Sequence, residues 1–245
     1  MTKDTRVALV TGANKGIGLE TARQLGKQGI TVIVGARDAA KGEAAAKELK
    51  AEGIDVYHLN LDVTKSQDRD AAVKFIDEKF GKLDILVNNA GIASEQWGRN
   101  NTSSTSLDTL QQTFDTNLFA PVALTEALLP LLRKSPAARV VNVSSILGSL
   151  TLHSDPKSPI YDSKAFAYDA SKSALNAFTI HLAHELRDTK IKVNSAHPGW
   201  VKTDLGGAGA TMGIVEGAKT SVDLAMLPED GPTGAYMHLG KTLPW

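Results

Sequence analysis

The sequence predicts an α/β fold, a doubly wound parallel sheet with helices on both faces. Three observations predict it. Short β-branched runs alternate with longer Ala- and Leu-rich stretches of helical periodicity. Most of those runs are apolar almost throughout, as strands covered on both faces are. The first run ends in a glycine-rich turn that opens a helix. With 245 residues, the chain 1–245 reads as one domain of a size ordinary for this class.

In order, the strands are read at Arg6–Thr11, Thr31–Ala36, Asp55–Asp62, Asp84–Asn89, Arg139–Ser145 and Ile191–Pro198, with helices such as Ala39–Glu52 and Leu110–Arg133 between them. Alternation of this kind implies right-handed crossovers. Lys plus Arg and Asp plus Glu are both 27, so no global field draws the protein to nucleic acid or an anionic membrane; small molecules or its own copies are the expected partners. There is no cysteine, which removes disulfides, thiolate catalysis and Cys-ligated zinc. The N-terminal apolar run is too short for a signal peptide or a membrane span, and a cytoplasmic protein is the expectation. The stretch Gly206–Gly213 reads as a mobile loop.

In an open parallel sheet, ligands lie beyond the carboxyl ends of the strands. The first such place is TGANKGIG, Thr11–Gly18. Gly12 turns the chain, while Gly16 and Gly18 let the helix start approach a pyrophosphate that its free N–H groups and dipole stabilise. The second strand ends in Ala36 and Arg37 rather than in the carboxylate that favours a ribose without a 2′-phosphate. With Lys15 near, two cations surround the phosphate position. Charge-assisted hydrogen bonds of roughly 1.5–3 kcal/mol each predict NADPH over NADH by a factor on the order of 100.

The turn GxxxGxG at Gly12–Gly18, NNAG at Asn88–Gly91, Ser145, YDASK at Tyr168–Lys172 and PGWVKTD at Pro198–Asp204 occur in one order along the chain. Together they make it resemble a short-chain dehydrogenase/reductase, most similar to the NADPH-dependent carbonyl reductase branch, whose Rossmann-type sheet is the fold expected above. That resemblance implies a phosphate loop of Thr11, Gly12, Asn14, Lys15, Gly16, Ile17 and Gly18. It implies Asp62 and Val63 at the adenine, Asn89, Ala90 and Gly91 at the ribose, and Pro198, Gly199, Val201 and Thr203 at the nicotinamide. Asp62 also reads as a plain helix cap.

Reducing a ketone or aldehyde leaves negative charge on its oxygen, so the site needs a proton donor. Tyrosine titrates near 10, and drawing it toward 7 takes ~4 kcal/mol, about what an ammonium 4 Å away supplies at an effective dielectric of ~20. Lysine four residues on along a helix shares the tyrosine's face. Tyr168 has Lys172 at that spacing and heads a helix striped by Leu175, Phe178, Leu182 and Leu186. Tyr161 reaches only Lys164, three residues on, among turn-forming prolines, within an insertion at about 149–167. The resemblance adds that Lys172 also holds the nicotinamide ribose, that Ser145 donates to the substrate oxygen, and that Asn117 anchors a water in a proton relay. Ser145 is preferred to Ser144 because the family's serine is followed by two residues and a glycine, here Gly148; Ser144 is expected to satisfy backbone groups at the strand end.

Trp97, Leu147, Tyr161, Trp200, Leu205 and Met212 stand where substrate should bind. Carbonyl specificity is assigned to loops at 94–107, 146–167 and 205–216. His181 and His184 share a helix face but lack a completing carboxylate pattern, so no metal is expected. The reading is an NADPH-dependent carbonyl reductase, monomer or homo-oligomer, the alternative being a non-catalytic NADP(H)-sensing protein on the same fold.

Overall fold

The computed structural model describes residues 5–95 and 102–245. Among the described residues eight strands form one sheet in the order β3-β2-β1-β4-β5-β6-β7-β8. They are β1 (Val7–Thr11), β2 (Thr31–Ala36), β3 (Val56–Asn60), β4 (Ile85–Asn88), β5 (Arg139–Val143), β6 (Lys192–Ala196), β7 (Tyr236–His238) and β8 (Lys241–Thr242). All adjacent pairs are parallel except β7 with β8. The chain leaves β1 toward β2 and β3, then returns to add β4 on β1's other side. That reversal opens the crevice in which ligands of such sheets lie.

The helices are α1 (Gly16–Lys27), α2 (Ala39–Ala51), α3 (Ser66–Phe80), α4 (Leu107–Phe114), α5 (Ala120–Arg133), α6 (Leu150–Ser154), α7 (Phe166–Glu185) and α8 (Ile214–Ala225). Strand side chains alternate between two apolar layers. Leu9, Ile33, Leu86, Val140 and Val193 pack with Ile76 of α3, Leu124 and Leu128 of α5, and Leu182 of α7. Ala8, Val10, Val32, Val34, Val87 and Val141 face the other way, onto Leu25 of α1, Leu49 of α2 and Val222 of α8. Both faces are covered, which is why the strand sequences read as continuous apolar runs.

The six expected strands are present, each within a residue or two of its expected ends. The strands β7 and β8 were not foreseen, because three and two residues carry no periodicity. The helix expected at Leu110–Arg133 is divided: a π turn at Asp115–Phe119 separates α4 from α5 and contains Asn117. The expected insertion holds α6 and a series of turns, and α7 begins inside its range at Phe166, two residues before Tyr168. Among the described residues no helix is long and apolar enough to cross a membrane.

Candidate active site

The carboxyl ends of β1, β4, β5 and β6 converge on one crevice. The Thr11 hydroxyl accepts from the amides of Asn89 and Ala90 at 3.0 Å each, and the Asn89 side chain donates to the Thr11 carbonyl at 2.8 Å. Asn89, expected at the ribose, thus spends its amide on holding the phosphate turn to the β4 end. Gly12 takes φ +62°, and a Cβ on Gly18 would strike the Asn89 amide and lie 2.7 Å from the Gly12 carbonyl, so both positions exclude larger residues. No side chain caps α1 and no carboxylate lies in its first turn. Such a bare, positive helix start with backbone crowded against it fits a dinucleotide pyrophosphate.

Around this turn, Asn14, Gly16 and Ile17 are half-buried, and Arg37 is exposed at the end of β2. Lys15 is exposed too and forms an ion pair with Asp204. The Asp62 carboxylate accepts from the amide and hydroxyl of Thr64 at 3.1 and 2.7 Å, while Lys65, not Asp62, occupies the α3 cap. Burial pushes that carboxyl up, but the Thr64 donors, with Lys65 and Arg37, outweigh it and hold it below the usual range. Val63 is buried in the core beneath. Gly91 faces two of the catalytic candidates: a Cβ there would stand 3.4 Å from Asn117 Oδ1 and 3.6 Å from Lys172 Nζ. Beyond β6, Pro198 and Gly199 lead to Val201, which bridges Met212, and the Thr203 methyl lies over Gly16.

Tyr168, Lys172, Ser145 and Asn117 come together although they arise from α7, the end of β5 and the π turn. The Ser145 side chain lies close enough to the Tyr168 phenol to oppose the rise in its titration, and it accepts from the Leu147 amide at 3.3 Å, capping a 3-10 turn over Ile146–Gly148. Lys172 donates to the Val143 carbonyl at 2.8 Å, with its nitrogen 5.6 Å from the Tyr168 ring centre. Asn117 is fully buried: it accepts from the Ile92 amide at 2.8 Å and donates to the Ile92 carbonyl at 2.8 Å and the Ser171 hydroxyl at 3.0 Å. π turns of this kind occur preferentially at functional sites.

The expectation of a phenol drawn toward 7 is not met in the folded chain. Burial pushes Tyr168 up to about 12, with Ser145 only partly opposing it. Burial also brings Lys172 down to about 8, and its ammonium turns to a backbone carbonyl. Desolvation disfavours the charged form of both groups, and the neighbouring Asp169 raises the phenol further. A second expectation also fails: the Ser144 hydroxyl bonds no backbone group and is buried near the Tyr236 hydroxyl.

Several residues bearing on the site carried no sequence signal. Glu95 is buried, and its Oε2 accepts from the Tyr168 amide at 3.0 Å. The Tyr236 hydroxyl donates to the Ser145 carbonyl, and its ring stacks on Trp245 at 5.4 Å. His197, brought down to about 3 by burial and by the neighbouring His238, accepts at Nδ1 from the Ile146 amide at 3.1 Å. Beneath them, Asn88 donates to Thr125 and Asn142, and Asn142 donates to Thr179, a buried polar chain tying β4, β5, α5 and α7.

Of the expected substrate residues, Trp97 lies outside the described residues. Leu147 and Met212 are half-buried, whereas Trp200, Leu205 and Tyr161 are exposed. Tyr161 does meet Lys164, with the ammonium 5.1 Å from its ring centre, but on a surface turn outside any helix. His181 and His184 are exposed on α7.

Residues 6–211 match the family model described as short chain dehydrogenase. The chain is 34% identical to carbonyl reductase [NADPH] 1 of Sus scrofa, over all of this chain and 96% of that protein. It is 31% identical to (+)-neomenthol dehydrogenase of Capsicum annuum, over 97% and 96% of the two chains. The crystal structure of NADPH-bound carbonyl reductase from chicken fatty liver superposes with a TM-score of 0.86 at 30% identity, over 98% of this chain and 99% of that one.

Proposed function

This chain belongs to the short-chain dehydrogenase family, and from that premise we propose that it reduces a ketone or aldehyde at the cleft formed by Ser145, Tyr168 and Lys172. It is an NADP-dependent oxidoreductase. The observation that carries the proposal is the buried Lys172 ammonium 5.6 Å from the Tyr168 ring centre, with Ser145 buried beside the same phenol.

The α1 start, the turn Thr11–Gly18 and the cation Arg37 would hold the phosphates; Lys15 would join them by leaving Asp204. Gly91, Lys172 and the segment Pro198–Thr203 would hold the nicotinamide end. When bound, the reduced nicotinamide supplies hydride to the carbonyl carbon. As charge builds on the carbonyl oxygen, Ser145 donates a hydrogen bond to it and Tyr168 transfers its phenolic proton to it. A phenol held near 12 is fully protonated at neutral pH, the state a donor needs. Lys172, with its own titration near 8, remains mostly charged and stabilises the phenolate left behind. Asn117, beside Lys172 across Gly91, anchors the water through which the tyrosine regains its proton. Running in reverse, Tyr168 must start as phenolate, so alcohol oxidation favours alkaline pH.

The test is NADPH oxidation over aliphatic, aromatic, cyclic and terpenoid ketones and aldehydes, with Tyr168→Phe as control. Turnover of at least one class, reduced on the order of 100-fold or more in Tyr168→Phe, is expected. Silence across all classes while NADPH still binds would replace the proposal with a non-catalytic NADP(H) sensor. A Tyr168→Phe protein that keeps full activity while Tyr161→Phe loses it would move the acid to the insertion.

A further inference from the structure

The structure assigns Glu95 as a positioning residue for the proposed acid: from the loop after β4, its carboxylate caps the catalytic helix at the amide of Tyr168 itself. The first N–H groups of a helix have no partner within it, and α7 begins without a capping side chain on its own N-cap residue, Ala165. The first intrahelical bond is from the Asp169 amide to the Ala165 carbonyl at 2.8 Å, so the Tyr168 amide lies just before the ladder begins. Glu95 Oε2 accepts from that amide at 3.0 Å across 73 positions of sequence. Asp169 Oδ2 accepts from the Ala165 amide at 2.9 Å, so the helix start is closed by two carboxyl groups, one local and one remote, of which Asp169 is pushed up to about 7 by burial and by the charge of Glu95.

Glu95 is 7% exposed and is itself held in place. Its Oε1 accepts from the Thr105 hydroxyl at 3.3 Å, and the segment leading to it is fastened where Asn117 bonds both the amide and the carbonyl of Ile92. One strip of chain therefore runs from the cofactor-lining Asn89–Gly91, past Asn117, to the backbone of Tyr168. Its negative charge also suits the positive end of α7. A helix start that frays carries the phenol with it, and a displacement of about 1 Å at a reacting group can cost on the order of 100-fold in rate.

The inference rests on Tyr168 being the acid, and the experiment separates the two. Glu95→Ala, Glu95→Gln and Thr105→Val are compared with the wild type in carbonyl reduction, in NADPH binding, and in hydrogen exchange at the tyrosine amides of protein labelled with 15N-tyrosine, of which the chain has four. Glu95→Ala is expected to lower kcat about 10-fold or more and to speed exchange at Tyr168 by a similar factor, with NADPH affinity changed less than about threefold. Glu95→Gln, which keeps an acceptor oxygen, is expected to stay within about threefold of wild type in all three readouts. Thr105→Val, nearly isosteric, is expected to shift exchange and kcat about twofold in the same direction, and decides the matter should Glu95→Ala not fold. Unchanged exchange at Tyr168 in Glu95→Ala would overturn the assignment, as would equal impairment of Glu95→Gln or parallel losses of kcat and NADPH affinity. A wild type inactive on every carbonyl removes the proposed function while the exchange result still decides whether Glu95 caps Tyr168.

Discussion

Replacing Gly148 with alanine would place a Cβ 2.9 Å from the Lys172 carbonyl carbon and 3.0 Å from both its oxygen and its Cβ. Two of those atoms are helix backbone and the third is the Cβ fixed to it, so none can swing aside and the 3-10 turn and α7 must separate by roughly half an ångström to reach ordinary contact. Overpacking of this kind costs about 1–3 kcal/mol, and in a chain of this length each kcal/mol lowers Tm by about 2–4 °C. The Gly148 carbonyl also accepts from the Ser173 hydroxyl at 3.0 Å and from the Asn176 amide at 3.3 Å, bonds that would lengthen with the shift. Ser145 caps the same turn, so its hydroxyl retreats from Tyr168. The expected result for Gly148→Ala is a Tm lowered by about 2–12 °C and a kcat/KM for carbonyl reduction lowered about 10-fold or more, with NADPH affinity lowered less than kcat/KM because the turn Thr11–Gly18 and Arg37 would still hold the phosphates. Scanning calorimetry, steady-state kinetics and cofactor titration measure the three. A variant with wild-type Tm and kcat/KM would refute the view that this contact sets the serine's distance from the catalytic helix.

Lys172→Met should abolish most activity and yet stabilise the protein at neutral pH. A buried ammonium brought from 10.5 to about 8 corresponds to roughly 3 kcal/mol of penalty, partly offset by leaving the Val143 carbonyl without its donor, for a net gain of about 1 kcal/mol. Below pH 8 folded and unfolded wild type are both protonated and the whole penalty stands; between 8 and 10.5 the folded state loses its proton first, so wild-type stability rises and the variant's advantage shrinks. Denaturant melts at pH 7 and pH 10 check this, and an advantage that grows with pH would contradict it. Arg37→Asp should lower kcat/KM for NADPH on the order of 100-fold and raise the relative use of NADH, read from paired assays with the two cofactors. Asp204→Asn, which releases Lys15 from its ion pair, should tighten NADPH about threefold in a fluorescence titration and leave NADH unaffected; equal effects on both would place Lys15 away from the 2′-phosphate.

The sequence by itself determined what depends on a few neighbouring residues. Apolar β-branched runs marked the six principal strands, because most of their positions are buried between helices, although edge strand β3 is only half-buried and β5 and β6 also bury Asn142, Asn194 and Ser195. The glycine turn after β1 was legible too, since a backbone with φ +62° at Gly12 and no space for a Cβ at Gly18 must be written in glycine. So was the Tyr168–Lys172 pair, whose i, i+4 spacing fixes a common helix face whatever the rest of the chain does. Tertiary structure alone decided how those groups are held and charged. The amide of Tyr168 meets a carboxylate from a loop 73 positions away, and Ser145 rests under Tyr236 from a strand too short to leave a pattern. Lys15 pairs with Asp204, 189 positions on. Titration belongs to the same class: spacing placed a cation beside a phenol, but burial, which sums over every element packed around them, lifted Tyr168 to about 12 and lowered Lys172 to about 8. Desolvation is a property of the enclosed volume rather than of any local run of residues, and only the folded chain defines that volume.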